Sequence, residues 1–254
     1  MDLSRAAPLR VVIDGSDRPA LQIARDLALL MHGDGATLRL YGFRPAGLTL
    51  GRFQSAADFA DVDAPHEVVR RPTGGGAIFH DDDITYALTI DDDPARSSDA
   101  WYDLIHGAIA GALSACGIRA LRSSTAPRHP GPRAEGAKWC FAQACRGDLI
   151  APGGGKLCGS AQRRLRRPRA RLLQHGSVVM RRSPVTPFCA AVADQVDANA
   201  ARVPLIAAIA QRIAAALGLE PVRGTRTGPE ELAALGVLPQ VLPDNVAATA
   251  DATR

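Results

Sequence analysis

A cysteine bracketed by lysines is the grouping in this chain best suited to covalent chemistry. Lys138 and Lys156 are its only lysines, set against 28 arginines, and both lie within 16 positions of Cys140. Chance accounts for that clustering about as well as function does. The functional reading is that a compact amine shifts its pKa with its surroundings, as a guanidinium does not, and as an ammonium raises the reactive thiolate fraction of a nearby cysteine. Cys140 follows a Pro-, Ser-, Gly- and Arg-rich stretch, 121–137, that reads as a mobile surface loop, which leaves the thiol approachable. Cys145 is an outside candidate for the same role, while Cys116, Cys158 and Cys189 read as buried and inert.

The string Arg71-Pro72-Thr73-Gly74-Gly75-Gly76, followed by Phe79-His80, is the second unusual feature. Three residues without side chains let main chain approach a ligand closely, with Arg71 and His80 as donors at its edges; a ligand-free glycine turn is the bland alternative. Gly153-Gly154-Gly155-Lys156 is no phosphate loop of the magnesium-binding kind, because Leu157 stands where Ser or Thr is needed. Cys140, Cys145, Cys158 and His175 contain no C-x-x-C pair, so no metal site is expected. Asp81-Asp82-Asp83 and Asp91-Asp92-Asp93 read as solvated turns around a strand.

These residues need elements to hold them. Apolar spacing predicts a helix opened by Asp17 and Pro19, with Ile23, Leu27, Leu30 and Met31 inward and Gly33 at its end. Strand patterns follow at 37–43, 48–53 and 67–71, and Ile84, Tyr86, Leu88 and Ile90 alternate along a fourth. Asp99 is read as the cap of a second helix stopped at Gly117. Strand signals resume at 148–151, 156–162 and 171–180, the first two joined by the turn Pro152-Gly153-Gly154-Gly155. Pro204 is read as the start of a helix carrying Leu205, Ile209, Ile213 and Leu217, capped by Gly218. The division expected is a catalytic domain over 1–220 and a weakly docked or flexible tail over 221–254.

The chain has 254 residues, 46% apolar and 22% charged, as an ordinary globular protein does. An odd count of five cysteines is no secreted disulfide framework. Residues 1–20 lack the apolar core of a signal peptide, and no run of 18 or so apolar residues is present, so the reducing cytoplasm is expected and a membrane is not. The net charge is +4. Positions 149–193 hold no Asp or Glu while Arg163, Arg164, Arg166, Arg167, Arg169, Arg171, Arg181 and Arg182 crowd the stretch, which should attract an acidic partner. No nucleic-acid-binding motif accompanies the arginines, so no nucleic acid is expected.

Four separated strings together resemble the lipoyl and octanoyl transferase and lipoate-protein ligase superfamily. They are Leu38-Arg39-Leu40-Tyr41-Gly42-Phe43 with Leu50-Gly51-Arg52-Phe53-Gln54; Arg70 through Asp81; Lys156-Leu157-Cys158-Gly159-Ser160-Ala161-Gln162-Arg163-Arg164; and Leu173-Gln174-His175-Gly176-Ser177-Val178. The resemblance implies an α+β (α/β) fold, with a mixed, largely antiparallel β-sheet and packed helices, of the biotin/lipoate protein ligase (class II synthetase-like) type. Ile84-Thr85-Tyr86 and the placing of Cys140 are similar to the cysteine-dependent octanoyltransferases, although the spacing to Lys156 is about one residue longer. Arg146-Gly147-Asp148-Leu149-Ile150 resembles a ligase string in which Gly147 replaces an asparagine.

That branch implies Cys140 as nucleophile and Lys156 as its electrostatic partner and proton shuttle. Arg71, Thr73, Gly74, Gly75, Gly76, His80, Gly159, Ser160, Ala161 and His175 are implied around the acyl group, Arg71 and His80 orienting its carbonyl. The implied donor is octanoyl-acyl carrier protein, and the acceptor a lipoyl domain or glycine-cleavage H protein. A thioester donor needs no cofactor; ATP and magnesium enter only if the chain is a lipoate-protein ligase. A third possibility is octanoyl amidotransfer from H protein to lipoyl domains. A monomer is expected.

Overall fold

Alternation of side chains along one long strand sorts them between two cores. In the computed structural model, which describes residues 6–62, 66–124 and 138–243, Leu38 and Leu40 face one core while Tyr41 and Phe43 face the other. In chain order the elements are β1 (Pro8–Asp17), α1 (Pro19–His32), β2 (Ala36–Phe43), β3 (Gly47–Leu50), β4 (Glu67–Arg70), β5 (Ile78–His80), β6 (Asp83–Asp91), α2 (Ser98–Ala115), β7 (Leu121–Arg122), β8 (Leu149–Ile150), β9 (Lys156–Leu165), β10 (Arg171–Val179), α3 (Ala198–Leu217), β11 (Glu220–Gly224) and α4 (Gly228–Val237). Eight strands form one sheet in the order β11-β1-β2-β6-β10-β9-β8-β7. The two pairings of β1 are parallel and the rest antiparallel. A second, three-stranded sheet runs β4-β3-β5.

The larger core lies between one face of the big sheet and helices α2 and α3, where Ile105, Ile109 and Leu113 meet Leu205, Ile209 and Ile213. By length and composition α3 is apolar enough to span a membrane; here its Leu205, Ile209 and Ile213 stripe is buried. The other face carries α1, whose Ile23, Leu27 and Leu30 pack on Tyr41, Phe43, Ala87 and Leu173. Burying each such side chain contributes about 1.5–3 kcal/mol before entropy is counted.

Three boundaries differ from the sequence reading. Ser97, not Asp99, caps α2, its side chain accepting from the Ala100 amide at 3.0 Å. Helix α3 begins at Ala198, capped by Asp197, which accepts from the amides of Asn199 and Ala200. Pro204 therefore lies inside it, tolerated because Ala200, whose carbonyl loses a partner to the missing N–H, is exposed to water. The segment after 220 is not a loose tail as far as it is described: β11 pairs with β1, and Ala234, Val237 and Val241 join the core on α1. Glu230 and Glu231 of α4 pair with Arg10 and Arg25, contacts between distant residues that periodicity does not reveal. Positions 244–254, and 125–137 of the expected mobile loop, lie outside the described residues.

Candidate active site

Cys140 owes its place to main-chain bonds. Its amide donates to Ala77 O at 2.9 Å, and the Ala77 amide donates to Lys138 O at 2.8 Å, so residues 138–140 form a short parallel bridge beside the glycine triplet. Gln54 ties the same segment down, donating to Lys138 O at 3.0 Å and accepting from the Gly51 amide. Glycine is required at 51, since a Cβ there would lie 1.9 Å from Gly75 O.

Lys156 reaches the cysteine because β9 carries an irregularity. The register between β8 and β9 slips between Leu149 and Ile150. Leu157 and Cys158 consequently both join the larger core, and the Lys156 side chain folds over Gly159 on the cavity side. Its three N–H bonds are all directed: Nζ lies 3.4 Å from Cys140 Sγ, 3.0 Å from Cys140 O and 2.7 Å from Asp148 Oδ2. Lys156 and Asp148 are both buried. Burial disfavours the ammonium, but Cys140 and Asp148 outweigh it and raise the Lys156 pKa, so this is a held cation. Asp148 also accepts from the Cys145 amide at 2.7 Å and the Tyr102 hydroxyl at 3.3 Å. Burial pushes the Cys145 thiol up.

A relay from α2 sets the far side of β9. His106 Nδ1 donates to Gly147 O at 2.7 Å, which leaves Nε2 to accept from the Ser160 hydroxyl. Ser160 then accepts from Tyr86, whose oxygen accepts from Gln174 at 3.4 Å. Burial lowers the His106 pKa from 6.5 to about 4, keeping the ring neutral as this relay requires. Ser160 thus turns its hydroxyl to α2, and Gly176 makes room for it: a Cβ there would stand 2.5 Å from Ser160 Oγ.

A cavity of about 1420 Å³ opens from Cys140 and Lys156 between the two sheets, lined by Arg71, Gly74, Gly75, Gly76, His80, Ser160, Ala161 and His175 among others. Of the residues expected around an acyl group, Thr73 and Gly159 are not part of this lining. Four of the five N–H donors of the buried Arg71 are engaged by protein, with Nη2 2.7 Å from both Gly74 O and Gly76 O, Nη1 3.0 Å from Thr49 O on β3 and Nε 3.2 Å from Thr73 Oγ1. His80 is likewise engaged, by Asp83 at 2.6 Å and Thr49 at 3.0 Å. His175 links Thr73, at 2.7 Å, to Asp26, which pairs with Arg39. These three side chains shape the wall more than they offer free donors to a carbonyl.

Asp148, Tyr102 and His106 were missed at the sequence level. Asp148 sat in the Arg146–Ile150 string, and Tyr102 and His106 stand four residues apart on α2, a polar pair within an apolar stripe. Much of the arginine crowding is internal pairing: Arg164 holds Asp92, Arg169 and Arg171 hold Asp91, Arg181 holds Asp82 and Arg182 holds Asp194. Among the described residues Arg163, Arg166 and Arg167 have no such acid.

The architecture is that of a lipoate-protein ligase catalytic domain. Protein Ta0514 of T. acidophilum superposes with a TM-score of 0.74 at 21% identity, covering 92% of this chain and 95% of its own. A lipoate-protein ligase A bound with ATP gives 0.72 at 20% identity, over 92% and 95%. The chain belongs to the family of the lipoyl protein ligase A/B catalytic domain, whose model matches residues 18–214. Octanoyltransferase LipM of Symbiobacterium thermophilum is 35% identical over 182 residues, 66% of this chain and 64% of that protein. LipM of Bacillus subtilis is 30% identical over 185 residues, 67% and 65%. The match therefore spans just under two thirds of the length of these relatives.

Proposed function

We propose that this protein is an acyltransferase of protein lipoylation, moving an octanoyl group from acyl carrier protein through a Cys140 thioester to a lysine of a lipoyl domain or glycine-cleavage H protein. The carrying observation is the Lys156 ammonium 3.4 Å from Cys140 Sγ at the wall of a large cavity. The LipM relatives support the acyl group.

In the first half-reaction the Cys140 thiolate attacks the thioester carbonyl and forms the new C–S bond. The carrier's C–S bond breaks, and the departing thiolate takes a proton from Lys156. The timing follows from electrostatics: acylation removes the Cys140 charge, one of the two that hold the proton on Lys156. In the second half-reaction the acceptor amine attacks, the amide bond forms, and the C–S bond to Cys140 breaks. Neutral Lys156 takes the amine's proton, which restores thiolate and ammonium together. Thioester to amide transfer is downhill, so no nucleotide or metal is needed, and a free thiol nucleophile suits the reducing cytoplasm.

A second reading, an ATP-dependent lipoate-protein ligase, is favoured by the cavity, which holds far more than an eight-carbon chain. Intact mass spectrometry with octanoyl-acyl carrier protein and no ATP decides between them. Transfer predicts an octanoyl adduct that persists in Cys145→Ser, is lost in Cys140→Ser and is discharged by a lipoyl domain. Absence of an adduct, with ATP-dependent modification of the acceptor by free acid in wild type and Cys140→Ser alike, would show the ligase.

A further inference from the structure

Two guanidinium groups stand outside the cavity lining at its rim, and among the described residues neither forms an ion pair. Arg163 follows Ala161 by two residues on β9, so strand alternation puts it on the face of Ala161, one step further out from the cavity wall. Arg52 approaches from the opposite side, in the turn after β3, its amide donating to Thr73 O at 2.8 Å. It lies over the ring of Phe53, which lines the cavity and is 84% exposed. Arg163 is half-buried, and burial together with the charge of Arg52 lowers its pKa. Among the described residues neither has an acidic partner, whereas Arg164, on the other face of β9, is held by Asp92 at 2.6 and 2.7 Å. Of the exposed acids that line the cavity, Asp99 faces Arg146 at 3.9 Å, and Asp58 forms no ion pair with either arginine among the described residues. Two like charges left together at a half-buried rim are unfavourable until an anion joins them.

The separation from the reactive pair indicates which anion. Lys156 Nζ lies above Gly159. The four residues from there to Arg163 span about 13 Å of strand, to which the arginine adds its own reach. A pantetheine arm runs through thirteen bonds from sulfur to phosphorus, about 15 Å at the reach of an extended chain of similar bonds. The cavity leaves an acyl chain a separate course, across the strands from Gly159 past Ser177 and Thr85 toward Tyr41. Resting on the acyl-transfer reading, we propose that Arg52 and Arg163 clamp the phosphodiester of a 4′-phosphopantetheine arm whose thioester carbonyl lies at Cys140. A phosphate matches two guanidinium forks in charge and geometry, and Phe53 gives the arm's gem-dimethyl group an apolar surface.

The test is binding of 4′-phosphopantetheine and of pantetheine, followed by the fluorescence of Trp139 in the cavity wall. It is run on wild type, Arg52→Gln, Arg163→Gln and the control Arg166→Gln. The phosphorylated form should bind wild type and Arg166→Gln about tenfold or more tighter than pantetheine. In Arg52→Gln and Arg163→Gln that ratio should fall toward one. Equal binding of the two probes to wild type, or a ratio unchanged by either substitution, overturns the clamp. Acylation of Cys140 by octanoyl-coenzyme A and octanoyl-acyl carrier protein is scored separately. No adduct from either defeats the transferase reading, and the binding ratio still decides the arginines. Equal losses with both donors in the two variants support recognition of the shared 4′-phosphate. A loss confined to the carrier protein, with the binding ratio intact, means the arginines touch protein instead and overturns the proposal.

Discussion

One methyl group at position 159 should separate the Lys156–Cys140 contact from the stability of the fold. A Cβ on Gly159 would lie 2.2 Å from Lys156 Cε and 2.6 Å from Nζ. What it meets is the tip of a flexible side chain rather than backbone, so Gly159→Ala can be accommodated by moving the ammonium. Restoring an ordinary contact of about 3.5 Å displaces Nζ by about 1 Å. Opening the 3.4 Å separation from Cys140 Sγ by that amount forfeits about 1 kcal/mol of charge attraction at an effective dielectric of about 20, about sixfold in rate. Single-turnover acylation by an octanoyl thioester, with a thermal melt on the same sample, measures both sides. The expected result is a melting temperature within a few degrees of wild type and acylation slowed sixfold or more. Gly176→Ala is the contrast, because its Cβ lands 2.2 Å from Gly159 O and 3.0 Å from Ser160 Cα, both main chain, so stability is lost first. Wild-type acylation by a fully folded Gly159→Ala would refute the claim that the ammonium at Sγ assists the attack.

Two further outcomes concern stability. His106 has a folded pKa of about 4 against an ordinary 6.5, so below pH 6.5 the unfolded chain takes up a proton that the folded one refuses. Stability should fall as the pH drops from about 6.5 to about 4, and urea midpoints at pH 7 and pH 5 should differ less in His106→Gln than in wild type; equal differences would contradict this. Arg25 is buried and bonds Asp17 at 2.9 Å and Glu231 at 3.1 Å, joining α4 to the body of the protein. Arg25→Ala should cost about 1–2 kcal/mol, a drop of about 3–6 °C in melting temperature, with earlier proteolysis in 221–227. An unchanged melt would mean that the apolar face of α4 alone holds it.

The parts of this protein legible in sequence are those set by local pattern. Alternation placed β6 and β10, the 3.6-residue stripe placed α1, and glycine marked the turns at both ends of the site. Cys140 and Lys156 stood out because their residue types were scarce or oddly placed. Asp148 and His106 did not, because what distinguishes them is burial opposite partners 8 and 54 residues away, Lys156 and Ser160, and no local rule encodes that. Arg71 lines the cavity, as its place beside three glycines suggested, but what the type alone did not show is that four of its five N–H donors are directed at protein acceptors, two of them the carbonyls of Gly74 and Gly76. The docking of α4 was hidden similarly: its acids find Arg10 and Arg25 more than 200 residues back, while its Pro- and Ala-rich composition suggested a frayed end.

The slip between β8 and β9 bears on how such a site can be transplanted. Spacing alone does not carry the instruction that aims the lysine. A designer who copied Asp148, Lys156 and Gly159 at their natural intervals into an unbroken hairpin would send the amine into the packed interior, since uninterrupted alternation puts residues 156 and 159 on opposite faces. The irregularity is thus part of the functional motif, although it has no side chain of its own. Grafts should be judged by whether they reproduce that one-residue offset before they are judged by the residues they carry.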